Sequence, residues 1–143
     1  MALFYTDASA LVKLVLNEPE SAALRTYIAD ADLVSSELVL TEGPRAVRRA
    51  VARDPDLSLD ILLARTGEVI DTLALVPVDR ALLLAAGALS EPALRALDAI
   101  HVAAAVDVSP VDAFVTYDQR QAAAARLAGL RTVTPGDPSP TSG

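Results

Sequence analysis

Asp7, Glu42, Asp98 and Asp118 each stand where a packing residue is expected. Asp7 closes the largely apolar run 2–6, and Asp118 closes the similar run 113–117. Asp98 interrupts Ala96-Leu97-Asp98-Ala99-Ile100, and Glu42 follows Leu38-Val39-Leu40-Thr41. Carboxylates at the margin of a core are costly unless something partners them. Four of them serve together most simply by holding a hard divalent cation, which takes oxygen ligands.

Each acid also has an ordinary use. Asp7 and Asp118 fall at strand-to-helix turns, where a side-chain oxygen caps the helix N-terminus. Asp98 lies near a helix start, where negative charge suits the macrodipole, but its apolar neighbours imply burial and hence a partner. Glu42 has Arg45 three residues on for a surface ion pair of little energetic value. Glu37 competes with Glu42 but fits a first-turn dipole role. His101, the lone histidine, reads as a packed or hydrogen-bonded helix residue rather than a ligand. Ser9 belongs either to the site rim or to the first turn of a helix. Arg45, Arg48 and Arg49 share a helical face, which is either solvated or set against phosphates of a nucleic acid or an acidic partner segment.

These residues must be positioned by alternating strands and helices. Strands are predicted at 3–6, 33–35, 73–76, 113–116 and 131–133. Helices are predicted at 8–16, 20–29, 37–53, 57–67, 79–89, 97–106 and 119–128. Pro19, Pro55 and Pro77 supply the stops and Gly129 a left-handed cap. Such alternation implies an α/β sandwich around a mainly parallel sheet of about five short strands, in which ligands bind outside the carboxyl ends of the strands. Asp7 and Asp118 lie there. Residues 1–135 form one domain, and the Pro/Ser/Gly-rich stretch 136–143 reads as a flexible tail.

Composition narrows the function. The 143 residues carry a net charge of −7, which argues against a basic nucleic-acid coat without excluding a nuclease. With no Cys there is no disulfide or thiolate site, no apolar run is long enough to span a membrane, and the cytoplasm is the expected location. No Gly-rich phosphate loop is present.

Four segments in this order resemble the motifs of PIN-domain proteins. They are Thr6-Asp7-Ala8-Ser9-Ala10-Leu11-Val12-Lys13, Glu42 with Arg45-Ala46, Leu97-Asp98-Ala99-Ile100-His101-Val102, and Val115-Thr116-Tyr117-Asp118-Gln119-Arg120. The similarity runs over about residues 2–135, and the length resembles the VapC-type toxins of bacterial toxin–antitoxin pairs. The resemblance implies a three-layer α/β/α fold and a metal-dependent ribonuclease. It carries the acidic metal site onto Asp7, Glu42, Asp98 and Asp118, with Ser9 and Thr116 as secondary members. It further implies Mg²⁺, replaceable by Mn²⁺, an RNA substrate, a homodimer and a cognate VapB-type antitoxin. Gly43-Pro44 departs from the pattern and implies a kink, or a helix that starts with Pro44 at its first position. Two rivals remain at this point: a catalytically silent PIN-like binding module, and a phosphoacceptor domain using Asp7 as nucleophile. The latter would want a second acid at position 9 and a well-placed lysine, and Lys13 is the only lysine.

Overall fold

The computed structural model describes residues 1–137. The chain runs β1 (Leu3–Thr6), α1 (Ala8–Val15), α2 (Ser21–Ile28), β2 (Asp32–Ser36), α3 (Val39–Arg53), α4 (Leu59–Asp71), β3 (Ala74–Val76), α5 (Arg80–Gly87), α6 (Ala96–Asp107), β4 (Ala113–Val115), α7 (Gln119–Leu127) and β5 (Thr132–Val133). All strand pairs are parallel, in the order β3-β2-β1-β4-β5. The chain builds outward from β1 through β2 to β3, then returns to lay β4 on the other side of β1. The reversal of direction between β1 and β4 opens a crevice at their carboxyl ends, the place where such sheets bind ligands.

Period-two alternation sends the strand side chains to opposite layers. Phe4, Ala113 and Val115 pack with Ala10, Leu14 and Leu24 on the α1–α2 side. Tyr5, Val34 and Phe114 face Leu82 of α5, the alanines of α6, and Ala124 and Ala125 of α7. Helices α3 and α4 extend the first layer through Leu11, Val39 and Ile70, and through Val15, Val47 and Leu62. The result is a three-layer α/β/α sandwich around a parallel five-stranded sheet, as the alternation and the family resemblance together imply. The core uses few rings. Tyr5 stacks on Phe114 at 5.1 Å and Phe4 on Tyr27 at 4.7 Å, and Ala103, Ala104 and Ala105 bring α6 close to the sheet.

Helix ends follow local chemistry. Asp7, Ser58, Asp79 and Asp118 cap α1, α4, α5 and α7 with side-chain oxygens. Gly129 ends α7 with φ +88°, while Leu130 N–H reaches Ala125 O and Gly129 N–H reaches Arg126 O, a Schellman closure. Several boundaries differ from expectation. Helix α4 continues to Asp71, with Gly67 in its interior. Glu37 precedes α3 instead of opening it, and its Oε1 accepts from Val78 N at 2.9 Å, tying the end of β2 to the end of β3. The proposed tail from 136 lies mostly outside the described residues. Within them, Gly136 has φ +83° and sits where a Cβ would come 3.0 Å from Ala23 Cβ.

Pro44 is not the first residue of a helix. Helix α3 begins at Val39 and passes through Pro44. Gly43 has a different reason to be small. A Cβ there would lie 3.0 Å from Thr66 Cγ2 and 3.1 Å from Leu11 Cδ2. Thr66 is buried, and its hydroxyl is bonded to Leu62 O, so it has little room to yield. The glycine lets α3 close on α1 and α4, and it sits next to Glu42. Gly43→Ala should therefore lower unfolding free energy by about 1–3 kcal/mol, as overpacked cores do. Urea denaturation checks this; an unchanged midpoint would mean that Thr66 and Leu11 move aside freely.

Candidate active site at the carboxyl end of the sheet

Asp7 leaves β1 into the crevice and is 1% exposed. Its Oδ1 accepts from Ser9 Oγ at 2.6 Å and Ala10 N at 3.0 Å, and its Oδ2 from Thr116 Oγ1 at 2.5 Å. Thr116 Oγ1 also accepts from Asp118 N at 3.0 Å, and Ser9 Oγ accepts from Tyr117 N at 2.8 Å. The two hydroxyls thus lock the β1–α1 turn to the β4–α7 turn and orient the buried carboxylate. Burial still pushes the Asp7 carboxyl above its ordinary 3.8, against the lowering effect of these bonds and of His101.

Asp118 caps α7 with Oδ1, which accepts from Arg120 N at 2.9 Å and Gln121 N at 3.3 Å. Capping and a place in the site are therefore not exclusive for Asp7 and Asp118. Asp98 is in the first turn of α6 and is only partly buried, so the partner expected for a buried acid is not required. Its carboxyl is raised by desolvation and then by Asp118, with Asp7 and Glu42 adding and His101 opposing. The four acids, from four separate segments, therefore act in one electrostatic field.

Glu42 does not pair with Arg45. Its Oε1 meets His101 Nε2 at 2.7 Å, and His101 Nδ1 meets the Tyr5 hydroxyl at 2.7 Å. His101 is 1% exposed and Tyr5 is fully buried. A carboxylate at Nε2 calls for the proton on that nitrogen, which in a neutral ring leaves Nδ1 to accept from tyrosine. Burial, then Asp7, raises the Tyr5 phenol well above its ordinary 10.0, which keeps it a donor. Tyr5 thereby supports Glu42 through His101, a role that sequence reasoning missed. The one available signal was His101 a single helical turn after Asp98.

The basic stripe on α3 divides. Arg45 and Arg49 line a cleft with Ala8, Ser9, Val12 and Glu42. Arg48 is exposed and lies outside that lining, about 100° around the helix from Arg49.

The donor set suits a hard cation, since every charged side chain in it offers oxygen and Asp98 is burdened by its neighbours' charge. Among the described residues no three His, Asp or Glu side chains are grouped closely enough to hold a metal ion as they stand.

Two measurements test this electrostatic picture. Asp7 and Asp98 hold their protons more tightly folded than unfolded, because both carboxyls are raised. Their contribution to stability must fall as pH climbs from the unfolded carboxylate range, about 4, through the raised native values. In chelator, thermal unfolding of wild type should show this loss toward neutral pH and Asp7→Asn should show less of it; parallel profiles would contradict the picture. Tyr5→Phe should cost about 1–3 kcal/mol in urea denaturation, because it strands a buried ring nitrogen of His101. A cost near zero would mean that His101 finds another partner.

Comparison with known proteins agrees with this architecture. Residues 4–127 match the PIN domain family. Ribonuclease VapC47 of Mycobacterium tuberculosis (strain CDC 1551 / Oshkosh) is 35% identical over 138 residues, covering 94% of this chain and 98% of that protein. Ribonuclease VapC35 of the same strain is 38% identical over 140 residues, with the same coverage. Ribonuclease VapC46 of strain ATCC 25618 / H37Rv is 37% identical over 143 residues, covering 94% and 99%. With its parallel sheet, its acids at the β1–β4 crevice and full-length similarity to these proteins, this chain belongs to the VapC ribonucleases of the PIN-domain family.

Proposed function

We propose that the protein is a divalent-metal-dependent endoribonuclease and the toxin of a type II toxin–antitoxin pair. The observation that carries this reading is the placement of Asp7 and Asp118 at the carboxyl ends of the paired strands β1 and β4, with Asp98 at the start of α6 and Glu42 in the first turn of α3. The names of the relatives, all ribonucleases, point the same way.

Asp7 and Asp98 would be the direct ligands of Mg²⁺, with Mn²⁺ able to replace it, and Glu42 and Asp118 would hold a second ion or orient a water. The metal supplies acidification of water and neutralisation of charge on the phosphodiester oxygens. The chain's own residues fix the geometry. Ser9 and Thr116 hold Asp7, His101 holds Glu42, and the α7 cap leaves Asp118 Oδ2 free of that duty. Arg45 and Arg49 stand beside Glu42 to meet substrate phosphates, while Arg48 lies outside that cleft.

A phosphoacceptor role for Asp7 fares worse. Ser9 stands where a second acid would be wanted, and Lys13 is held by Glu18 at 3.0 Å and Glu20 at 2.9 Å. A silent binding module would have little use for the supports built under Asp7 and Glu42. The partners in this reading are RNA, a VapB-type antitoxin and a second copy of the chain; Leu83 and Leu84 on α5 and Val106 on α6 offer exposed apolar surface for protein contacts. Among the described residues no helix is long and apolar enough to cross a membrane, and the cytoplasm is the proposed location.

The test is cleavage of a pool of structured cellular RNAs in EDTA, Mg²⁺ or Mn²⁺, with Asp7→Asn and Asp98→Asn alongside. Defined cuts should appear only with metal and fall at least about 100-fold in each variant. Cuts that persist in both variants would remove these acids from the site. Metal binding without any cut would favour the silent module.

A further inference from the structure

We propose that Arg95 and Arg120 grip the RNA on the flank of the acids opposite Arg45 and Arg49, so that the strand is held on both sides of the scissile phosphodiester. The inference rests on the ribonuclease reading.

Two clefts open on the acids. One is walled by α1 and α3 and contains Glu42, Arg45 and Arg49. The other is walled by the first turn of α6 and the β4–α7 turn, and contains Arg95, Asp98, Asp118 and Arg120. The first turn of α6 divides them, with Leu97 in one and Asp98 in the other. Since α1 and α3 cover one face of the sheet and α6 and α7 the other, the clefts lie on opposite flanks of the sheet's carboxyl end, one beside Glu42 and the other beside Asp98 and Asp118.

The arginines in these clefts are distinguished by what they do not do. Arg25, Arg65 and Arg126 are tied to Leu14 O, Val15 O and Thr132 Oγ1. Arg95 and Arg120 are exposed, and among the described residues neither side chain has a hydrogen bond or a carboxylate within 4.0 Å, although two acids share their cleft. A free guanidinium presents a fork that fits phosphate oxygens. The chain carries −7 overall and would repel RNA at a distance, so attraction must come from local positive charge beside the acids. Arg45, Arg49, Arg95 and Arg120 are that charge. Arg48 and Arg80 are equally exposed but line neither cleft.

The experiment compares Arg95→Ala/Arg120→Ala, Arg45→Ala/Arg49→Ala and, as control, Arg48→Ala/Arg80→Ala on a single-stranded RNA whose cut is mapped with wild type. Each cleft pair should raise KM about tenfold or more with a small change in kcat. Each should also reduce the slope of log kcat/KM against log salt by about 0.7 for every phosphate that the removed guanidiniums neutralise in wild type. The control pair should match wild type. A substrate trimmed close to the cut on one side should become indifferent to one cleft pair while staying sensitive to the other. Unchanged KM and salt slope in Arg95→Ala/Arg120→Ala overturn the proposal. So does a change confined to kcat and metal requirement, which would mean that the two arginines only balance Asp98 and Asp118. If wild type cuts no RNA, the ribonuclease reading falls, and anisotropy of a fluorescein-labelled oligouridine decides the inference alone. Weaker binding by Arg95→Ala/Arg120→Ala than by the control sustains it; equal binding, or none by wild type, ends it.

Discussion

Asp7 is a carboxylate taken almost wholly out of water at the tip of the central strand, and much of the architecture follows from making that tolerable. A buried charge survives only with hydrogen bonds or a counterion. The bonds come from Ser9, Ala10 and Thr116, and Thr116 belongs to a different strand end. The β1–β4 pairing, in register from Phe4↔Ala113 to Thr6↔Val115, is what brings Thr116 alongside. These bonds do not fully offset desolvation, since the carboxyl remains raised. The fold thus holds Asp7 in a state that a cation would relieve.

Around this centre the acids differ in what restrains them. Glu42 is fixed from behind by a buried imidazole and phenol, Asp118 is bound to the helix it caps, and Asp98 projects from a helix turn with no side-chain bond holding it. Asp118 is held by local backbone geometry, Glu42 by a long-range relay, and Asp98 is the least restrained of the three. A site with that gradation can keep a fixed frame while one ligand adjusts.

Much of this was legible in the chain. The alternation of elements, the proline stops, the Gly129 cap and the four acids at strand ends and helix starts are local patterns, and they appear where expected. What escaped depends on packing between distant segments. Helix α3 begins at Val39 and runs on through Pro44, so the proline does not mark the start of the helix. Glu42 chose His101 over its helical neighbour Arg45 because α3 and α6 meet across the end of the sheet. Arg48 stands about 100° from Arg49 and about 60° from Arg45 around the helix, and only the structure shows which direction faces the cleft. Tyr5 lies unremarked in the largely apolar run 2–6, because nothing local reveals what its hydroxyl touches.

The alanines of α6 carry a consequence of their own. Ala104 and Ala105 are fully buried and Ala103 nearly so, in the layer that packs against Tyr5, Val34 and Phe114. Their smallness sets the distance between helix and sheet, and with it the depth at which Asp98 and His101 stand over the crevice. Adding a methylene to a filled core shifts backbone instead of compressing neighbours. A genetic screen for chains that have lost their activity would therefore return hits at these alanines, and at Gly43, alongside the acids themselves. The positions that carry no chemistry at all are where the spacing of the chemistry is encoded.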